Sequence, residues 1–180
     1  MSEIYYEEMA SPIGPLLLLK YEGKIIRIDF GILADLEVEL AIWLDRFVPV
    51  DKYTFKHDAS QFEQELIQLD SYFTKRTTHF QMDYQLFGTP FQQKVWEKLV
   101  EEIPYGQMKS YKDIAIAIGN VKAVRAIGGA VNKNPLSIVV PCHRVVGATG
   151  KLVGYNGGLD KKEFLLQLEL EKVLQSNFNG

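Results

Sequence analysis

Ile138-Val139-Val140-Pro141-Cys142-His143-Arg144-Val145-Val146 is the stretch on which the reading of this chain turns. It holds the only cysteine in 180 residues. Asn134-Pro135-Leu136-Ser137 precedes it, and the apolar, β-branched run Ile138–Val140 predicts a buried strand. Proline cannot donate to a sheet ladder, so pairing should stop at Pro141 and Cys142 should emerge at the strand's end. His143 and Arg144 make that end electropositive. Neighbouring positive charge lowers a thiol's pKa, and the thiolate, scarce in free cysteine at neutral pH, is the effective nucleophile. A lone cysteine is more often a small buried hydrophobe; flanking by Pro, His and Arg favours the nucleophile. Adjacent side chains on a strand face opposite ways, so adjacency alone does not make His143 the base.

Downstream, Gly147, Gly150 and Gly154 predict a tightly turning loop that leads through Tyr155-Asn156-Gly157-Gly158 into a helix beginning near Leu159-Asp160. On that helix Glu169 shares a face with Leu165, Leu166 and Val173, while Glu163, Gln167 and Glu171 line the opposite side. A carboxylate on an apolar face is costly unless it is partnered. A histidine would serve, and a His–Glu pair would hold the imidazole in the tautomer that accepts a proton toward Cys142. A solvated helix edge is the other reading of Glu169.

Upstream, Thr89-Pro90-Phe91-Gln92 has Thr as N-cap, Pro at the first helical position and Gln three residues after the cap. Its helix turns Phe91, Val95, Trp96 and Leu99 inward and stops before Pro104-Tyr105-Gly106. Ser110 with Asp113 caps a short helix ended by Gly119-Asn120, and a second helix over about Val121–Asn132 completes a helix-turn-helix pattern. Such pairs also serve as plain scaffolding. The second helix carries an apolar stripe (Val124, Ile127, Val131), a nearly bare one (Ala123, Ala126, Ala130) and Arg125 between them. A small-residue face allows close approach to a partner backbone, whether of DNA or of another helix.

The first half reads as support. Leu16–Leu19 and Lys24–Phe30, separated by Glu22-Gly23, predict an antiparallel hairpin. A helix is expected over residues 35–47, and Ser60 with Glu63 suggests a capping box for a second one carrying Phe62, Leu66, Leu69 and Phe73. Phe80–Leu86 is a candidate strand, and a domain boundary is expected near Phe87-Gly88. Residues 1–87 hold 8 Lys/Arg against 15 Asp/Glu, whereas residues 88–180 hold 12 against 8. An acidic half joined to a basic half makes an anionic partner plausible for the second alone, despite a net charge of −3. One cysteine excludes an internal disulfide and points to a reducing, intracellular setting. His57, His79 and His143 lack ligand spacing, so no metal is expected. The N-terminus does not read as a signal peptide, and Leu16–Leu19 is far too short to span a bilayer.

Pro141-Cys142-His143-Arg144-Val145 together with Gly88-Thr89-Pro90-Phe91-Gln92, Ile103-Pro104-Tyr105-Gly106, Ser110-Tyr111, Arg125–Ala130, Asn134-Pro135 and Gly154–Leu159 closely resembles the O6-alkylguanine-DNA alkyltransferases in order and spacing. Lys162, Leu165, Leu166 and Glu169 extend the match. The resemblance is dense from about residue 87 to 170 and looser before, where Ser11-Pro12-Ile13-Gly14 also fits. It implies an N-terminal α/β domain, ribonuclease-H-like, over 1–87 and a mostly α-helical DNA-binding domain with a helix-turn-helix over 88–180. It further implies repair of double-stranded DNA containing O6-alkylguanine, and O4-alkylthymine as well, by one irreversible transfer of the alkyl group to Cys142, without a cofactor or an obligate protein partner. The cell compartment implied is the cytoplasm, with the nucleoid in a prokaryote, or the nucleus in a eukaryote.

By the same resemblance the base is flipped through the minor groove with Arg125 filling the gap, and Ala123, Ala126 and Ala130 permit close approach. His143 (through a water) and Glu169 take the thiol proton, Tyr111 donates to the departing guanine oxygen and touches DNA, and Asn134 braces the active-site turn. Val131, Val145, Val153, Tyr155 and Asn156 match the alkylguanine pocket. Asn156 stands where a smaller residue such as Ser or Ala is expected, and the ligands of the N-terminal structural zinc found in some members are missing. A non-catalytic alkylated-DNA-binding relative would lack the cysteine; a Cys-His-Glu hydrolase would turn over.

Overall fold

The computed structural model describes residues 1–179, with side chains through 178. The chain forms two compact units, Met1–Gly88 and Thr89–Gly180.

The first unit is a four-stranded sheet, β1 (Ser2–Met9), β2 (Leu16–Tyr21), β3 (Lys24–Phe30) and β4 (Tyr53–His57), in the order β3-β2-β1-β4. The expected hairpin is β2–β3, with Leu16 opposite Phe30 and Leu18 opposite Ile28. Its two-residue turn has φ 48° at Glu22 and 77° at Gly23, the left-handed pair that matches the twist of the flanking strands. The sequence did not disclose β1 or β4. Only Ile4 is fully buried along β1, which shows no alternation, whereas β4 alternates Tyr53 and Phe55 toward the core with exposed Thr54 and Lys56 but is only five residues long. Helix α1 (Leu33–Phe47) lays Leu40 and Leu44 against Ile4, Leu17, Leu19 and Ile26 in one core with Val48 and Phe87.

Charges buried in this unit are paired. The Arg27 fork grips Asp29 at 2.6 and 3.0 Å and lies 4.7 Å from the Trp43 ring. Lys20 donates to Glu65 of α2 (Glu63–Phe73) at 2.8 Å and to the Gln61 carbonyl. Two expectations are corrected here. Ser60 is not the cap of α2: the chain first winds through a 3₁₀ turn, Ala59–Phe62, and Asp58 caps that turn by accepting from the Ser60 N–H at 3.0 Å. Phe80–Leu86 is not a strand. It makes a single parallel bridge, Ile25 to Tyr84, through bonds from the Ile25 N–H to Asp83 and from the Gln85 N–H to Ile25.

The second unit is helical. Thr89 and Gln92 close a reciprocal cap at 3.0 and 3.1 Å on α3 (Pro90–Glu102), which buries Val95, Trp96 and Leu99. Ser110 and Asp113 do the same at 2.9 and 3.0 Å for α4 (Tyr111–Ile118). Helix α5 (Val124–Asn132) starts later than its apolar pattern suggests, because Ala123 N–H bonds back to Asn120 and Val121–Ala123 belong to the turn. The strand expected at Ile138–Val140 does not form. Residues 137–139 form a turn in which Ile138 has φ 74°, and Cys142–Arg144 is a 3₁₀ turn. Buried backbone must find partners, and here the Asn134 side chain supplies them in place of a neighbouring strand. It accepts from Leu136 N–H at 2.9 Å and donates to the carbonyls of Val140 and Leu136 at 3.0 and 3.3 Å. A two-residue strand β5 (Lys109–Ser110) then pairs in parallel with β6 (Val145–Val146), and α6 (Leu159–Asn179) ends the described chain.

Candidate active site

Four segments of the second unit converge on Cys142. The β5–β6 pairing sets Ser110 opposite Val146, which fastens the N-terminus of α4, and so Tyr111, beside the turn that carries the thiol. Asn134 holds the other side of that turn. A β-branched residue with φ 74° is strained, and burial of Ile138 together with the Asn134 clamp holds it there. Gly106 lets the Tyr105–Gly106 loop close over α6: at φ 81° a Cβ would also sit 2.6 Å from Val173 Cγ2.

The 3₁₀ turn removes the objection a strand raised. At three residues per turn, successive side chains diverge by roughly 120° rather than facing opposite ways, and Cys142, His143 and Arg144 are all buried. His143 Nε2 lies 2.6 Å from Glu169 Oε2, and Glu169 is 1% exposed. Arg144 donates from Nε to Glu169 Oε1 at 2.7 Å, from one terminal nitrogen to Oε2 at 3.1 Å, and from the other to the Ile103 carbonyl at 2.8 Å. An ionised carboxylate only accepts, so His143 Nε2 carries the hydrogen and Nδ1 keeps the free lone pair. Nδ1 is buried and makes no hydrogen bond among the described residues.

Burial pushes the Cys142 thiol up in pKa, against a hydrogen bond from Asn134 and the charge of Lys162. The expectation of a thiol ionised by His143 and Arg144 is therefore corrected. Arg144 is neutralised by Glu169, and burial lowers the pKa of His143, although Glu169 opposes it. Burial alone would raise Glu169; His143 and Arg144 outweigh it and hold the carboxyl well below the usual range. The resting site is thus a neutral thiol, a neutral imidazole and a carboxylate.

The resemblance includes Lys162 without implying a role for it, and the sequence alone gives Arg144 only a diffuse charge. Lys162 is fully buried, with Nζ donating to the carbonyls of Val145, Val153 and Gly154 at 2.5, 3.1 and 3.2 Å. Burial lowers its pKa to about 8. Its position seven residues before Glu169, on the same helix face, was the available signal. Tyr111 Oη also donates to Val153, at 3.1 Å, and burial and Cys142 raise its pKa, so it is a neutral donor.

Among the expected pocket residues Val131 and Val145 are buried, Tyr155 is partly so, and Val153 and Asn156 are exposed. The small-residue face of α5 is divided. Ala123 and Ala130 are 8% and 3% exposed, and the Ala130 carbonyl accepts from Trp96 Nε1 at 2.8 Å. Ala130 serves the packing of α3 on α5, and Ala123 is buried in the turn that leads into α5. The surface open to close approach is Ala126 and Gly129, beside exposed Arg125.

Residues 4–85 match the family described as 6-O-methylguanine DNA methyltransferase, ribonuclease-like domain, and residues 90–171 match its DNA binding domain. The methylated-DNA–protein-cysteine methyltransferase of Methanosarcina barkeri is 42% identical over 92% of this chain and 97% of its own length. The crystal structure of Mycobacterium tuberculosis O6-methylguanine methyltransferase superposes with a TM-score of 0.78 at 36% identity, covering 94% of each chain. That of M. tuberculosis OGT in complex with DNA gives 0.76 at 37% identity, over 93% of this chain and 94% of the other. With both of its domains matched, this chain belongs to the 6-O-methylguanine DNA methyltransferase family.

Proposed function

We propose that this protein repairs DNA as a methylated-DNA–protein-cysteine methyltransferase, moving the alkyl group of O6-alkylguanine, and of O4-alkylthymine, onto Cys142 once per molecule. The observation that carries the reading is a thiol whose burial keeps it protonated, next in sequence to an imidazole locked by Glu169 with its basic nitrogen unengaged. Such a thiol reacts only when a base takes its proton during attack.

In the step, Cys142 Sγ forms a bond to the alkyl carbon while the bond from that carbon to guanine O6 breaks. The thiol proton passes, through a bridging water, to His143 Nδ1, and the imidazolium formed is stabilised by Glu169. Tyr111 gives a proton to the departing oxygen, releasing its bond to Val153. Guanine is restored and the protein is left as S-alkylcysteine, with no route back to the thiol. The target must leave the stack to reach a buried sulfur, which costs a few kcal/mol. Arg125, exposed on α5 beside Ala126 and Gly129, fills the gap from the minor groove. The basic balance of residues 88–180 supplies attraction to phosphate. None of the described helices is long and apolar enough to cross a membrane, which accords with work on DNA inside the cell, in the cytoplasm, the nucleoid or a nucleus.

Incubation with duplex DNA containing O6-methylguanine, followed by intact-mass measurement, tests this. The protein should gain the mass of one methyl group on Cys142, in stoichiometric amount and no more. Catalytic turnover, or demethylation with no mass gained, would refute it.

A further inference from the structure

The reaction above assigns nothing to Arg144, yet few side chains in the second unit are so fully engaged. It is 7% exposed, donates to both oxygens of Glu169 and to the Ile103 carbonyl, and lies 5.6 Å from the Tyr105 ring. Glu169 Oε1 also faces the Gly106 N–H at 3.5 Å. The carboxylate that orients His143 is therefore bound on both oxygens by one guanidinium, a forked arrangement that fixes its plane as well as its charge.

We propose that Arg144 is a positioning residue which, by gripping both oxygens of Glu169, balances its charge and keeps His143 neutral and available as the base for Cys142. The inference rests on the relay proposed above. Without the guanidinium, a buried carboxylate would face the imidazole unbalanced and favour its protonated form. A resting imidazolium cannot accept the thiol proton. Arg144 also pulls the His143 pKa down directly, alongside the larger effect of burial.

Of the other groups facing this pair, Lys162 titrates nearest and also lowers the His143 pKa. Lys162 on α6 has a pKa of about 8 and Tyr105 one of about 12. Tyr155 and Cys142 are both raised by burial. At pH values well below the pKa of Lys162, where the lysine stays charged, the acid limb belongs to His143 with Glu169.

The test is the single-turnover rate on O6-methylguanine duplex as a function of pH, with thermal melts, for the wild type, Arg144→Lys, Arg144→Met, Glu169→Gln and the double variant. In Arg144→Met the acid limb should move up by about one to two units, with the rate at higher pH recovering to within a few-fold. Arg144→Lys retains the charge without the fork and should shift less. In the Gln background, removing Arg144 should shift the limb by less than half as much, because there is no carboxylate left to unbalance. Loss by one constant factor at every pH would mean a purely structural role and overturn the proposal. So would a shift of equal size in the Gln background. If Arg144→Met does not fold, Arg144→Lys and the comparison of the double variant with Glu169→Gln decide. A Glu169→Gln profile unchanged from wild type would instead sink the relay itself.

Discussion

In the first unit the buried charges form closed pairs: Arg27 with Asp29, and Lys20 with Glu65. In the second they form an open network. Glu169 binds Arg144 and His143, Lys162 binds three carbonyls, and Nδ1 of His143 is left with its lone pair beside the segment that carries the thiol. A closed pair satisfies its members and has no chemistry left, so apolar side chains of similar volume could replace it. An open network holds one group short of satisfaction, which is free to take a donated hydrogen bond or a proton. Burial of charge thus serves stability and reactivity in one chain, and the difference lies in whether the hydrogen-bonding capacity is used up.

The most severe break is Cys142→Ser. Alkyl transfer should be abolished while duplex binding and thermal stability stay close to wild type, since the sulfur contributes chemistry and little contact area. Transfer at the original rate by the serine variant would exclude Cys142 as the nucleophile. Next, Glu169→Ala should destabilise by about 3–5 kcal/mol, because Arg144 and His143 are left buried without their partner. The paired exchange Arg27→Met with Asp29→Leu should cost little or even stabilise, with transfer unaffected. Equal destabilisation of the two variants in chemical denaturation would erase the distinction between closed and open charge.

Arg125→Ala sharpens the comparison within the second unit, separating the side of α5 proposed to face DNA from the network. A loss of about 2 kcal/mol in holding the base out of the stack would slow duplex repair roughly thirty-fold, and saturating protein should not restore it. Reaction with a free base such as O6-benzylguanine should change little; a parallel drop in both rates would place Arg125 in the fold or the site instead. The smallest effects come from the caps. Thr89→Ala should cost about 1 kcal/mol, whereas Ser60→Ala should change stability by only a few tenths, since Asp58 caps the turn there. Matched losses in thermal melts would restore the capping box expected at Ser60.

Local rules were legible where a side chain meets its own neighbours. The hairpin from Leu16 to Phe30, the caps at Thr89 and Ser110, and the buried face of α6 carrying Glu169 follow from spacing within a few residues. Beyond that reach the sequence misleads. Ile138–Val140 has a strand's composition, but its backbone bonds go to the carbonyls of Leu136 and Ser137 within the turn and, from the Val140 carbonyl, to the Asn134 side chain, and composition cannot report what a backbone pairs with. Strand β1 is held by its pairing with β2 and β4, which its own pattern does not report. By pattern Ala123 and Ala130 are as eligible as Ala126 to face DNA; the fold buries both, Ala130 against Trp96 of α3.

What the sequence determined by itself was the inventory: one thiol, an imidazole and a guanidinium next to it, and a carboxylate set among leucines on a distant helix. It left that carboxylate between two readings, a partnered buried charge or a solvated helix edge, since an unpaired charge on a buried face is too costly to persist. Only the tertiary structure decided that Glu169 answers to both His143 and Arg144, that Lys162 is buried against three carbonyls, and that the thiol rests protonated rather than ionised. The physical reason is one of range. Helix caps and hairpin turns are settled within a few residues of chain, whereas desolvation and charge pairing depend on what the fold brings within a few ångströms. At Cys142, burial outweighs the positive neighbours that the sequence places beside it.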